Sequence, residues 1–192
     1  MRRALVAVLI LAATRSAAEA AREPCLALKT KAAGTDAAAQ LRCEARAARR
    51  LTAVDSGCLA RADANLRAAF AGAARGGGCG PGGGATSVAA VVDAFASAVV
   101  RSLPPGVHGG PRCAAAKYTA VGQAAARRLG CHARALRLGV PVGGACLRHT
   151  ALHLRRAMRR AESRVGCNVN GDAAVLDAAV DGFIAAVAAA LK

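Results

Sequence analysis

Residues 25–46 read CLALKTKAAGTDAAAQLRCEAR, and residues 113–134 read CAAAKYTAVGQAAARRLGCHAR. The second stretch repeats the first at an offset of 88 residues. The same offset carries Cys25, Cys43, Cys58 and Cys79 without a gap onto Cys113, Cys131, Cys146 and Cys167. Self-similarity at a fixed period marks a duplicated structural unit. About 30 of the 79 positions in 25–103 are identical to their counterparts in 113–191, including Lys29/Lys117, Gly34/Gly122, Leu41/Leu129, Asp93/Asp181, Phe95/Phe183 and Leu103/Leu191. A residue kept in both copies reads as structural, and a residue present once reads as private to its copy.

Each copy reads as three helices, so the expected fold is all-α: two tandem three-helix modules, each a disulfide-stapled hairpin with a third helix packed on it. Residues 25–50 are rich in Ala, Leu, Lys and Arg, all good helix formers, with Gly34 expected to weaken or kink the run. A second helix starts near Asp55 or Ser56, both competent N-caps, and ends near Arg75 at the following glycines. A third follows Gly84 and places Val88, Val92, Phe95, Val99 and Leu103 on one face. In the second copy Asp172 is expected to cap the third helix, and Val175, Leu176, Val180, Phe183, Val187 and Leu191 repeat the apolar pattern. Asp177 and Asp181 argue against membrane insertion of that helix, because a carboxylate at bilayer depth costs several kcal/mol. The expected organisation is a signal peptide over 1–20, module one over 21–103, a linker over 104–112 and module two over 113–192.

Helix geometry restricts the cysteine pairing. Four cysteines allow three pairings per copy, but Cys25 and Cys43 on one helix lie about 27 Å apart at 1.5 Å per residue, beyond the reach of a disulfide. In an antiparallel hairpin, Cys25 meets Cys79 at the open end and Cys43 meets Cys58 near the turn. The second copy then pairs Cys113 with Cys167 and Cys131 with Cys146.

Residues 1–20 have the layout of a secretory signal: Arg2-Arg3, a short apolar run over 4–13, and Ala18-Glu19-Ala20 as a small-x-small cleavage site. Export to the periplasm or the cell exterior is the expectation, with no transmembrane segment after cleavage. The net charge of +16 becomes +14 once Arg2, Arg3, Arg15 and Glu19 are removed. Modules of roughly 80 residues have modest cores, which makes covalent staples useful, and eight cysteines in an exported chain read as four disulfides.

Several of these signals occur together: Cys113 to Gly122, Cys131-His132-Ala133-Arg134-Ala135, Cys146-Leu147 and Val180-Asp181-Gly182-Phe183. In this combination the chain resembles tandem Cys-rich, Ala/Lys/Arg-rich helical repeats of uncharacterised exported bacterial proteins. The resemblance covers nearly the whole mature chain. It implies export and module boundaries, and no activity.

Candidate chemistry is sparse. No nucleophile stands with a base and an orienting group, so no enzyme is expected and no catalytic residue or cofactor is assigned. His149 and His153, four apart on a helix, are the one candidate metal pair, without a third ligand in view. A metal-handling protein using that pair or reduced cysteines is the alternative reading. Residues 168–172 superficially resemble a calcium loop but read better as a turn. Arg148, Arg155, Arg156, Arg159, Arg160 and Arg164 form a basic stripe on the second helix of copy two, private to that copy and suited to a polyanion. Aromatics are only 2% of the chain and Trp is absent, which disfavours base stacking and specific nucleic-acid recognition. The expected function is an exported, non-enzymatic structural or binding protein, with acidic polymers or an envelope component as partners.

Overall fold

A computed structural model describes residues 17–76, 79, 84–104, 110–164, 167 and 171–192, and among these it contains six helices and no strand. They are α1 (Ala17–Arg50), α2 (Ser56–Arg75), α3 (Ala85–Ser102), α4 (Pro111–Leu138), α5 (Gly144–Glu162) and α6 (Ala173–Ala190). The charged start and apolar run of the expected signal, most of the 104–112 linker and the 168–170 turn lie outside the described residues.

α1 starts eight residues before Cys25 and runs through Pro24. It also runs unbroken through Gly34, where the sequence suggests a kink. The glycine serves a different purpose. A Cβ built on Gly34 would stand 3.0 Å from the Ala126 Cα and 3.1 Å from the Leu129 Cβ. A Cβ on Gly122 would stand 3.0 Å from the Ala38 Cα and 3.2 Å from the Leu41 Cβ. Ala126 and Leu129 are the 88-residue counterparts of Ala38 and Leu41, so the long helices cross reciprocally, each glycine receiving the partner's backbone. The interface between α1 and α4 is the most extensive in the molecule.

Around this crossing α2 lies on α1 and α5 on α4, while α3 and α6 meet through stacked Phe95 and Phe183 rings, centroids 4.3 Å apart. One buried apolar cluster draws residues from all six helices, so the copies share a core. Val88, Val92, Phe95, Val99 and Leu103 are all buried in it. On α6 Leu176, Val180, Phe183, Val187 and Leu191 are buried as well, but Val175 is 68% exposed and Ile184 takes its share of the interior. α3 and α6 are long and apolar enough to cross a membrane by length and composition. In this fold their apolar faces are turned on each other and on α1 and α4.

The ends of the helices follow local chemistry. Asp55 caps α2 by accepting a hydrogen bond from the Gly57 N–H at 2.9 Å. α4 closes on Gly139 in the left-handed region, at φ 63°. Its counterpart is Leu51, which adopts φ 54° without glycine's freedom.

Candidate functional site

Four cysteine pairs stand at disulfide distance: Cys25–Cys79, Cys43–Cys58, Cys113–Cys167 and Cys131–Cys146, with Cα separations of 5.5, 5.9, 5.4 and 6.1 Å. Among the described residues no cysteine is free. Each copy therefore has its α1–α2 or α4–α5 hairpin clamped at both ends. Four disulfides belong to an oxidising, non-cytoplasmic compartment.

The interior holds charges whose purpose the sequence does not reveal. The Lys117 side chain is fully buried, and its Nζ pairs with Asp172 and, at 3.5 Å, with Glu162. Asp172 occupies the N-cap position of α6 but makes no capping bond; its carboxylate is turned to Lys117 instead. Arg128, 3% exposed, is gripped by Asp177 and Asp181, and its Nε donates to the Thr150 hydroxyl at 3.3 Å. Asp181 thus bonds across to α4 rather than along its own helix. In copy one, Gln40 stands where copy two has Arg128, and its Nε2 donates to Asp93 at 2.7 Å. The pairing between the first and third helices of a copy is kept, with a neutral amide in place of the guanidinium. Lys29, the counterpart of Lys117, lies over the Phe70 ring, 5.4 Å from its centroid.

This arrangement decides the surface. All four carboxylates in residues 113–192 (Glu162, Asp172, Asp177 and Asp181) engage Lys117 or Arg128, while the same segment has twelve Lys and Arg in total. Arg148, Arg155, Arg156, Arg159, Arg160 and Arg164 are all exposed, and among the described residues no carboxylate lies within ion-pairing distance of them. Arg148, Arg155, Arg156, Arg159 and Arg160 share a basic face of α5 through their helical spacing, whereas Arg164, expected on the same helix, lies just past its end at Glu162. His149 and His153 meet edge to face on the same helix, ring centroids 4.4 Å apart. Partial burial lowers the pKa of His153, and Arg127, His149, Arg156 and Arg160 lower it further. Among the described residues no group of three His, Cys, Asp or Glu side chains is placed to hold a metal ion.

Copy one carries a different electrostatic device. Asp36 is 3% exposed, and its Oδ1 has no hydrogen-bond partner among the described residues. Burial, then the charges of Asp93 and Asp63, raise its pKa from 3.8 to about 6, against a lowering contribution from Gln40. It borders a groove of about 450 Å³ between α1 and α2. The counterpart groove on α4 and α5 is only about 50 Å³, because Arg127, His153 and Arg160 cover it where copy one has Ala39, Asn65 and Gly72.

A raised carboxyl pKa makes ionised Asp36 a burden on the fold. Below about pH 4 both folded and unfolded chains hold the proton and nothing is lost. Between pH 4 and 6 the folded chain keeps a proton that the unfolded chain releases, so stability falls as pH rises. Above pH 6 the full penalty stands, about 3 kcal/mol. Asp36→Asn should therefore be the more stable protein at pH 7 in urea melts and lose that advantage by pH 4. Equal midpoints at pH 7 would show that the buried carboxylate costs nothing.

No protein-family model, curated protein or solved structure matches the chain.

Proposed function

We propose that the chain is an exported, non-enzymatic helical protein, two disulfide-stapled copies of one unit, whose basic α5 face binds an acidic polymer. The observation that carries this reading is the division of charge in copy two: its carboxylates neutralise buried cations, and its exposed arginines have none beside them. Such a face attracts polyanions and releases their counterions. The absence of Trp and the low aromatic content favour backbone-charge recognition over base stacking.

Export to the periplasm or the cell exterior rests on the signal-like residues 1–20 and on the disulfides. Pro24 supports it independently. In the full chain Pro24 sits inside α1 and removes a helical hydrogen bond, but cleavage after Ala20 leaves it in the first turn, where the N–H has no intrahelical partner anyway. The resemblance to exported Cys-rich repeat proteins points the same way.

The test is a salt titration of binding to a sulfated glycan such as heparin and to a short DNA duplex. Replacing Arg155, Arg156, Arg159 and Arg160 with Gln should weaken binding about a hundred-fold near 0.15 M salt and cut the log–log slope on the duplex by about 3 to 4. Replacing Arg46, Arg49 and Arg50 of copy one should matter much less. Equal losses at both places reduce the reading to diffuse attraction, and no binding by the parent near 0.15 M salt removes it.

A further inference from the structure

We propose that the cavity between the start of α1 and the ends of α4 and α6 is a binding site for a neutral phenol-type ring. The cavity measures about 520 Å³, within the range of small-molecule sites, and its walls include Thr30, Leu129, His132, Ile184, Val187 and Leu191. The 139–142 segment after α4 closes one side. The lining is apolar apart from Thr30 and His132, with Glu23 and Lys192 also bordering it.

The chain itself carries the template for its occupant. Because α1 and α4 cross reciprocally at Gly34 and Gly122, residues 88 apart occupy corresponding positions on the two helices. The counterparts of Leu129, His132, Val187 and Leu191 are Leu41, Glu44, Val99 and Leu103, and the counterpart of Thr30 is Tyr118. Tyr118 is 1% exposed, and its hydroxyl donates to the Leu103 carbonyl at 2.8 Å. Burial, then the nearby Glu44 carboxylate, raise its pKa to about 12, so the phenol there is neutral. In the second place Leu129, Val187 and Leu191 are kept, Ile184 and His132 stand where copy one has Ala96 and Glu44, and the ring is gone. Thr30 replaces the tyrosine with a short side chain, and the space stays open.

The same geometry sets the ligand's features. Leu129, Ile184 and Val187 offer apolar walls to a flat ring, as the shared core does to the ring of Tyr118. A hydroxyl has the Leu191 carbonyl to donate to, the counterpart of the Leu103 carbonyl that accepts from Tyr118. His132 takes the place of Glu44, and partial burial, opposed by Asp181, lowers its pKa, which disfavours the charged imidazolium on this wall. The cavity is larger than one ring and extends toward Val140 and Pro141, so an apolar substituent on the ring has room as well.

The experiment uses the disulfide-intact chain and 4-methylphenol, the side chain of tyrosine detached. Binding should be saturable at one site per chain, with toluene about ten-fold weaker for want of one hydrogen bond and benzoate not bound. Methyl NMR signals of Leu129, Ile184 and Leu191 should shift while those of Leu41 and Leu103 stay. Thr30→Tyr should fill the cavity and weaken binding at least fifty-fold with an unchanged circular dichroism spectrum. Tyr118→Thr should open the twin and raise the stoichiometry from one to two. Either variant failing to fold leaves the methyl shifts of the unaltered chain to decide. No saturable binding, shifts at other methyls, or toluene binding as tightly as the phenol would each overturn the proposal.

Discussion

Full reduction of the four disulfides should unfold the protein at 25 °C. Closing the 15-residue separations of Cys43–Cys58 and Cys131–Cys146 removes about 3 kcal/mol each from the stability of the unfolded chain, and the 54-residue separations of Cys25–Cys79 and Cys113–Cys167 about 4 each. Together that is about 14 kcal/mol, as large as the whole net stability of an ordinary domain. The core cannot make up the difference easily, because 11 of its 30 buried members are alanines that remove little apolar area from water. Helicity at 222 nm should collapse in a strong phosphine reductant, with the cooperative thermal transition gone. Removing one long-range pair, Cys25 with Cys79, should cost more than removing Cys43 with Cys58. A reduced chain melting within a few degrees of the oxidised one would mean that packing alone holds the helices.

The hairpins are legible in the sequence because a disulfide is a distance constraint and a helix is a ruler. Cys25 and Cys43, 18 residues apart on one helix, have only one geometry in which both find partners, Cys58 near the start of the next helix and Cys79 just past its end. The buried face of α3 is legible for a similar reason, since its apolar residues recur at helical spacing. How the copies meet is not legible. Gly34 and Gly122 look like weak points in a helix, and only the crossing of α1 on α4 shows that the missing Cβ is the contact. The basic stripe on α5 is visible from spacing alone, but its lack of carboxylate neighbours depends on where Glu162, Asp172, Asp177 and Asp181 are used. Lys117 and Asp181 are kept in both copies, and a charged residue retained through duplication of an otherwise Ala-rich helix points to a buried partner.

Arg128 gives the second large effect. Replacing both Asp177 and Asp181 with Asn leaves a guanidinium, 3% exposed, with neutral acceptors alone: the two new amide oxygens, the Thr150 hydroxyl and the backbone carbonyl at position 177. An uncompensated buried charge of this kind costs about 3 to 5 kcal/mol, whereas replacing a whole buried pair by neutral groups is often close to neutral. The double variant should therefore lose most of a typical domain's margin in urea unfolding. Adding Arg128→Gln should restore the greater part of it, because copy one already holds Gln40 at this position, donating to Asp93 across the same helix pair. The recovery separates the two explanations of the loss. If the aspartates act mainly by capping or shaping α6, the triple variant will be no more stable than the double. If they act by neutralising Arg128, removing the cation removes the need for them, and the triple variant approaches the parent.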